Sequence, residues 1–260
     1  MLSSSAVPAA IVVALRFGTP ESPRWLASKG RLQEATAIIE KHLGPGSRLE
    51  RADTPTVSTT SLLESRYLRR LVFVCVFWSC QVVPAFGIYT YSPELLRVFH
   101  VPDPALGAAL ISLLFAAGVI PAILLVDRVG RRPLLTVPFV VTGVLLAILA
   151  VMPAEGHLGV VALLFSLFAL FSAASSVLQW IYPAELFPTE VRATALGIAT
   201  SVSRVGAAIG IYLFPVVIVH VGTSAVIGAL AGTCLIGWFV AERFAPETKG
   251  LLLSEASSLQ

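Results

Sequence analysis

Long stretches without a single charged side chain constrain this chain more than any motif does. They run over residues 71–93, 105–126, 133–154, 156–184 and 193–203, and the last continues past Arg204 to residue 241. A helix needs about 20 apolar residues to cross the hydrocarbon of a bilayer, so each run is long enough to span and the last is long enough for two spans. HVGTS at 220–224 supplies the turn between those two. Transmembrane strands would show short segments of alternating polarity; these runs are apolar on every face, which favours helices that close their own backbone hydrogen bonds. With 56% hydrophobic and 13% charged residues and a mean hydropathy of +0.85, a water-exposed globular surface is excluded. The expectation is an all-α polytopic membrane protein with six full spans between residues 71 and 242.

Basic residues orient the spans, because short positively charged loops are retained in the cytoplasm. With Arg128, Arg131 and Arg132 inside, only Arg97 of the eighteen Lys and Arg falls outside and only Arg204 lies within a span. The opposite orientation would place the other sixteen outside. The C-terminal tail, 243–260, is therefore expected in the cytoplasm, and the protein in the plasma (inner) membrane.

Residues 1–17 read as the end of a helix: the first fifteen are apolar but short for a span and carry no basic leader. Residues 18–70 read as a cytoplasmic connector. Within it Leu32, Ala35, Ile39 and Leu43 recur at helical spacing and Gly44, Pro45 and Gly46 end the pattern, which predicts a short amphipathic helix along the membrane face. Residues 47–60 are polar enough to expect disorder, and Ser61 with Glu64 has capping-box spacing before the first span.

Chemistry of the enzymatic kind finds no footing. Cys75, Cys80 and Cys234 sit in apolar runs at spacings that fit neither zinc nor a redox pair. His42, His100, His157 and His220 are scattered. Neither a nucleophile elbow nor a Walker loop nor a dinucleotide fingerprint is present. No enzyme activity, cofactor, metal or nucleic-acid partner is expected.

Four polar islands interrupt the apolar sequence: PESPRWL at 20–26, DRVGRRP at 127–133, PAELFPTEVR at 183–192 and PETKG at 246–250. In that order, over nearly the whole chain, they resemble the C-terminal half of a major facilitator superfamily transporter of the sugar-porter-like group. The islands are similar to the signatures after the sixth helix, between the eighth and ninth, at the end of the tenth and after the twelfth. The resemblance implies a six-helix C-terminal bundle of the major facilitator fold plus a partial preceding helix. It also implies that Asp127, Arg128, Arg131 and Arg132 interact with Glu185 and Arg192, with Glu21, Arg24 and Glu247 in the same inner-side network. Such pairs, parting and re-forming, would make a cytoplasmic gate; the plainer alternative is a set of solvated topology anchors.

The substrate pattern departs from the sugar carriers. Gln81, Tyr91 and Pro93 match their seventh helix, but Phe86 stands where they have an asparagine. Ser176 and Val177 replace a Gly-Pro pair before Trp180, and Arg204 and Ala207 replace a Trp and an Asn. Losing buried amides argues against a hexose. Arg204 lies twelve residues after Arg192, about 18 Å along a helix, and a charge at that depth is a functional candidate. RATALGIATSVSRVGAAIG is also similar to the nicotinate and organic-ion branch of the superfamily. The expected substrate is thus a small organic acid or similar polar solute, with Arg204 facing its carboxylate and Trp180, Gln81 and Tyr91 as further contacts. Partnering of Arg204 by an acid of the other half, or by backbone carbonyls, is the alternative. Gly197, Ala199, Gly206 and Gly210 suit close helix approach. Proton coupling is implied by the resemblance alone, Glu94 being a poor substitute for a buried carboxylate.

Alternating access in this fold needs two six-helix bundles. The chain is therefore expected to be a piece of a longer transporter, a half that pairs with a second half-transporter or with itself, or a non-transporting membrane subunit.

Overall fold

A computed structural model describes residues 6–44, 64–153 and 157–250. It divides into two units, 1–56 and 57–260. The expectations for residues 47–60 and for Ser61 lie outside the described residues.

The first unit holds α1 (Ala6–Arg16), α2 (Pro23–Ser28) and α3 (Leu32–Leu43). Ser22 and Pro23 begin α2 in the usual way, the proline at the first helical turn where its missing N–H costs nothing. α3 packs on α2 through Ala35 and Ile39, with Leu26 buried. Leu32, expected on the same apolar stripe, is exposed; as the first residue of α3 it projects beyond the surface that the short α2 covers.

Six further helices form the second unit: α4 (Ser65–Val98), α5 (Pro104–Val129), α6 (Arg131–Val151), α7 (Leu158–Leu186), α8 (Thr189–Val221) and α9 (Thr223–Phe244). All six are long and apolar enough to cross a membrane, so this is an integral membrane protein. Two boundaries differ from the expectation of 71–242. α4 starts at Ser65 rather than 71, because Arg69 and Arg70 extend the helix beyond its charge-free run. At the other end Glu242 and Arg243 prolong α9 to Phe244. Glu64, in extended conformation (φ −65°, ψ 143°), is the N-cap of α4 and makes no side-chain cap bond.

α4 is the most buried helix. It lies against α5, α8 and α9, while α7 bridges α5 and α6 and α9 packs along α6. The core between them contains Trp78, Phe77, Phe139, Phe165, Tyr182 and Phe187, each nearly fully buried. Where α9 crosses α6 and α4 the surfaces meet at Gly237: a Cβ there would come within 2.6 Å of the Phe139 ring and 2.9 Å of Cys80 Cβ. Gly206 and Gly210 of α8 likewise face Val83 of α4, and Ala199 is fully buried. Gly197 faces open space, so the small-residue seam begins after it.

Prolines inside α4 and α8 free carbonyls that hydrocarbon cannot solvate. Each lacks the N–H that would reach the carbonyl four residues back. Pro93 frees Tyr89 O, and Ser92 Oγ donates to it at 3.1 Å. Pro215 frees Ile211 O, and Tyr91 Oη donates to it across the helix interface at 2.9 Å. The Tyr91 ring stacks on Phe214 with centroids 4.3 Å apart and planes at 4°. Tyr91→Phe should therefore cost about 1–3 kcal/mol by orphaning that carbonyl, and Pro215→Ala, which restores the helical N–H, should abolish most of the cost. Thermal unfolding of the two single variants and the double variant in detergent checks this.

Candidate functional site

The end of the bundle carrying the polar islands is built from helix termini, each with unpaired backbone groups and a partial charge. Gly130 joins α5 to α6 with φ +104°, a region in which a side chain would be strained. A Cβ there would also fall 2.9 Å from a Glu247 carboxylate oxygen. That carboxylate caps the start of α6: Oε1 accepts from Arg131 N at 2.9 Å and Oε2 from Arg132 N at 3.1 Å. Oε1 also accepts from Thr248 N at 3.0 Å and Lys249 N at 2.9 Å. Burial pushes the Glu247 pKa up, but these four backbone N–H bonds outweigh it and hold the carboxyl below its ordinary range.

Arg131 and Glu185 form a largely buried pair at this end, with side-chain exposures of 13% and 15%. Arg131 Nη2 donates to Glu185 Oε1 at 2.9 Å and Nε to the same oxygen at 3.1 Å. The second Glu185 oxygen accepts from Thr248 Oγ1 at 2.5 Å. Arg131 Nη1 reaches Val126 O at 3.2 Å and Asp127 Oδ1 at 3.1 Å. Nearly every donor and acceptor of the pair is used, which is the condition for burying it tolerably. Asp127 remains 80% exposed.

The other termini follow the same rule. Arg70 Nη1 donates to Leu186 O at 2.9 Å and Arg192 Nε to Phe187 O at 3.2 Å, so cations sit at the C-terminal end of α7. Lys249 Nζ takes Arg128 O at 2.6 Å, at the end of α5. Arg132 Nη2 takes Glu242 O at 2.7 Å near the end of α9, and pairs with the exposed Glu242 carboxylate at 2.9 Å. Tyr182 Oη donates to Pro246 O at 2.6 Å and fastens the tail to α7.

The island residues thus divide. Arg131 makes direct ion pairs with Glu185 and Asp127, and Arg132 pairs with Glu242 instead of Glu185, whereas Glu247 binds backbone and no guanidinium among the described residues. Arg128 enters through its carbonyl, its side chain being exposed. Glu21 lies in the other unit, 3.7 Å from Arg31; the Arg24 side chain is outside the described residues. Sequence reasoning missed Thr248, Tyr182, Arg70 and Glu242. The first belongs to PETKG, a signal that was available; the others depend on which helix ends meet.

The solute candidates lie on α4 (Gln81, Tyr91) or against it, Trp180 from α7 and Arg204 from α8. Gln81 is 5% exposed, donates through Nε2 to Ser176 Oγ at 2.8 Å, and has its Oε1 buried with no partner among the described residues. Trp180 is half exposed and meets buried Trp78 edge to face at 5.2 Å. Arg204 is exposed on α8, its guanidinium 5.0 Å from the Phe86 ring centroid, a cation–π contact that leaves its N–H groups available. The residue standing where sugar carriers have an asparagine is thus the support of the arginine. Tyr91, in contrast, is committed to Ile211 and Phe214. No metal-binding cluster occurs among the described residues.

The family model described as "Sugar (and other) transporter" matches residues 1–259. A putative metabolite transport protein, YaaU, of Escherichia coli is 37% identical over 262 residues, covering 100% of this chain and 59% of that protein. The inner membrane metabolite transport protein YgcS of the same organism is 36% identical, covering 100% of the chain and 58% of its own length. Among solved structures, that of the major facilitator superfamily proton:xylose symporter XylE bound to 6-bromo-6-deoxy-D-glucose superimposes with a TM-score of 0.72. It is 23% identical and covers 98% of this chain and 57% of XylE. The chain therefore spans somewhat over half the length of the relatives it matches.

Two outcomes test the geometry. Glu185→Ala, which strands the Arg131 charge, should destabilise the bundle by about 3–5 kcal/mol in detergent unfolding. The lowered Glu247 pKa means its contribution is complete above the ordinary carboxylate range and is lost as pH falls through the lowered value. A Glu247→Gln variant should lack that part of the acid dependence of unfolding.

Proposed function

The chain belongs to the family described as "Sugar (and other) transporter", and we propose that it supplies the C-terminal half of a major facilitator carrier for a small organic acid or a similar polar solute. The observation that carries the substrate class is Arg204: a guanidinium within the span 190–221, exposed, with Phe86 beneath it. A carboxylate approaching it gains a charge-assisted hydrogen bond in a region poor in water. Trp180 offers an apolar edge. Gln81 would have to leave Ser176 or open its unpaired oxygen to reach a solute, which suits a role in orienting rather than anchoring.

At the charged end the ion pairs and caps fasten α5, α6, α7 and the tail of this one half into a block. Rocking of two bundles around a central solute would move that block as a unit, and exposed Asp127 would close the entrance against the opposite half. The charged end faces the cytoplasm by the distribution of Lys and Arg. Proton coupling fits the symporter that the fold resembles, with its carboxylate in the other half. That other half would be a further segment of the same polypeptide or a second half-transporter. Coverage of little more than half of each relative keeps a second reading in play, a membrane subunit that does not transport.

Uptake of labelled carboxylates, pentoses and inositols in transport-deficient cells distinguishes these. Arg204→Ala should weaken the KM for a carboxylate about tenfold or more, as expected for loss of a charge-assisted bond, with Arg204→Lys partly restoring it. Undiminished carboxylate uptake by Arg204→Ala would refute the anion site. Uptake of sugars alone would favour the monosaccharide alternative, and no uptake of any solute the non-transporting subunit.

A further inference from the structure

On the side of the bundle where α5 and α6 diverge over α7, a cavity of about 400 Å³ opens outward. α5 lines it with Gly118, Pro121, Leu125 and Val129, α6 with Pro133 and Val137, and α7 closes its floor. α5 and α6 touch each other little, and each rests on α7 instead. Gly118 permits this: a Cβ there would stand 3.0 Å from Leu170 O, so α5 lies directly on the α7 backbone and leaves a crevice beside α6. The lining is almost wholly apolar and belongs to membrane-spanning segments. Leu125, Val129 and Val137 are 39%, 44% and 51% exposed.

One end of the crevice reaches the charged terminus, where Val129 and Pro133 flank Gly130. Arg128 is placed there by helical register: it lies seven residues, two turns, after Pro121 of the groove wall, and adjoins Val129. Its side chain is exposed and makes no ion pair among the described residues, while Arg131 and Arg132 are engaged with Glu185 and Glu242. We propose that the α5–α6–α7 crevice is a binding site for an anionic phospholipid, one acyl chain lying between α5 and α6 and the headgroup phosphate held by Arg128. The juxtaposition is an apolar slot on the outer surface of the membrane-spanning bundle, with a guanidinium unpaired among the described residues placed by register beside its Val129 end. A chain wedged there bears on the Gly130 turn, and so on the Glu247 cap and the Arg131–Glu185 pair beside it. The site is separate from Arg204 and stands whether or not the solute is an acid.

The test is photolabelling of the full chain in phosphatidylcholine vesicles containing trace phospholipid with a photoreactive acyl chain, carrying either a phosphatidylglycerol or a phosphatidylcholine headgroup. Labelled residues are mapped by peptide mass spectrometry. Label should concentrate at Leu125, Val129 and Val137, with the anionic lipid favoured about fivefold, the worth of one basic residue at an anionic surface. Arg128→Gln should erase the headgroup preference and keep the label. Ala174→Trp, which fills the floor, should remove the label there and leave it unchanged at Phe239, an exposed residue of α9. Equal labelling by both lipids, or no enrichment over Phe239, would overturn the proposal. So would cross-linking of the crevice to a second copy of the chain in place of lipid.

Discussion

Helix ends near hydrocarbon have to find partners, and here the partners are charges lent by neighbouring segments. The start of α6 takes the Glu247 carboxylate, the end of α7 takes Arg70 and Arg192, the end of α5 takes Lys249, and the end of α9 takes Arg132. Each charge has the sign that the adjoining helix dipole favours. Arg131 and Glu185 then occupy the space between these termini and are acceptable there because their polar atoms are almost all used. Removing the tail would therefore uncap α6 and unpair part of Glu185 together.

The same accounting of backbone groups operates deeper in the bundle. Tyr91, expected as a solute contact, serves the carbonyl freed by Pro215, as its neighbour Ser92 serves the one freed by Pro93. Of the solute candidates, that leaves Arg204, Trp180 and partly Gln81 with capacity to spare. The solute hypothesis is strongest where structural duties have been discharged, and Arg204 is held by a ring face rather than by hydrogen bonds.

The spans were legible in sequence because hydrophobic length is a local property, and six apolar helices appear where the charge-free runs predicted them. The turn at 220–224 also lies as expected, with Gly222 between α8 and α9. Helix starts were less legible: Arg69 and Arg70 look like loop residues but lie inside α4, since long basic side chains can reach back to polar surroundings. The three islands of the second unit meet at one end of the bundle, yet their pairing could not be read. Glu247 looks like an ion-pair partner in PETKG and is a helix cap, because the first N–H groups of α6 reach its carboxylate while no guanidinium among the described residues pairs with it. Similarly, that Phe86 would lie beneath Arg204 depends on the packing of α8 against α4, which no single run of sequence contains.

If the charged end is one block, its internal distances should be insensitive to transport. Spin labels at Val129→Cys of α5 and Gly250→Cys of the tail, both exposed and outside the bonds described, read in the reconstituted protein by continuous-wave dipolar broadening, which suits short separations, test that directly. A single narrow distance, unchanged by added solute or by a pH change, is the predicted result. A second, longer distance appearing with solute would show that the tail detaches from α5 during the cycle and would contradict the account.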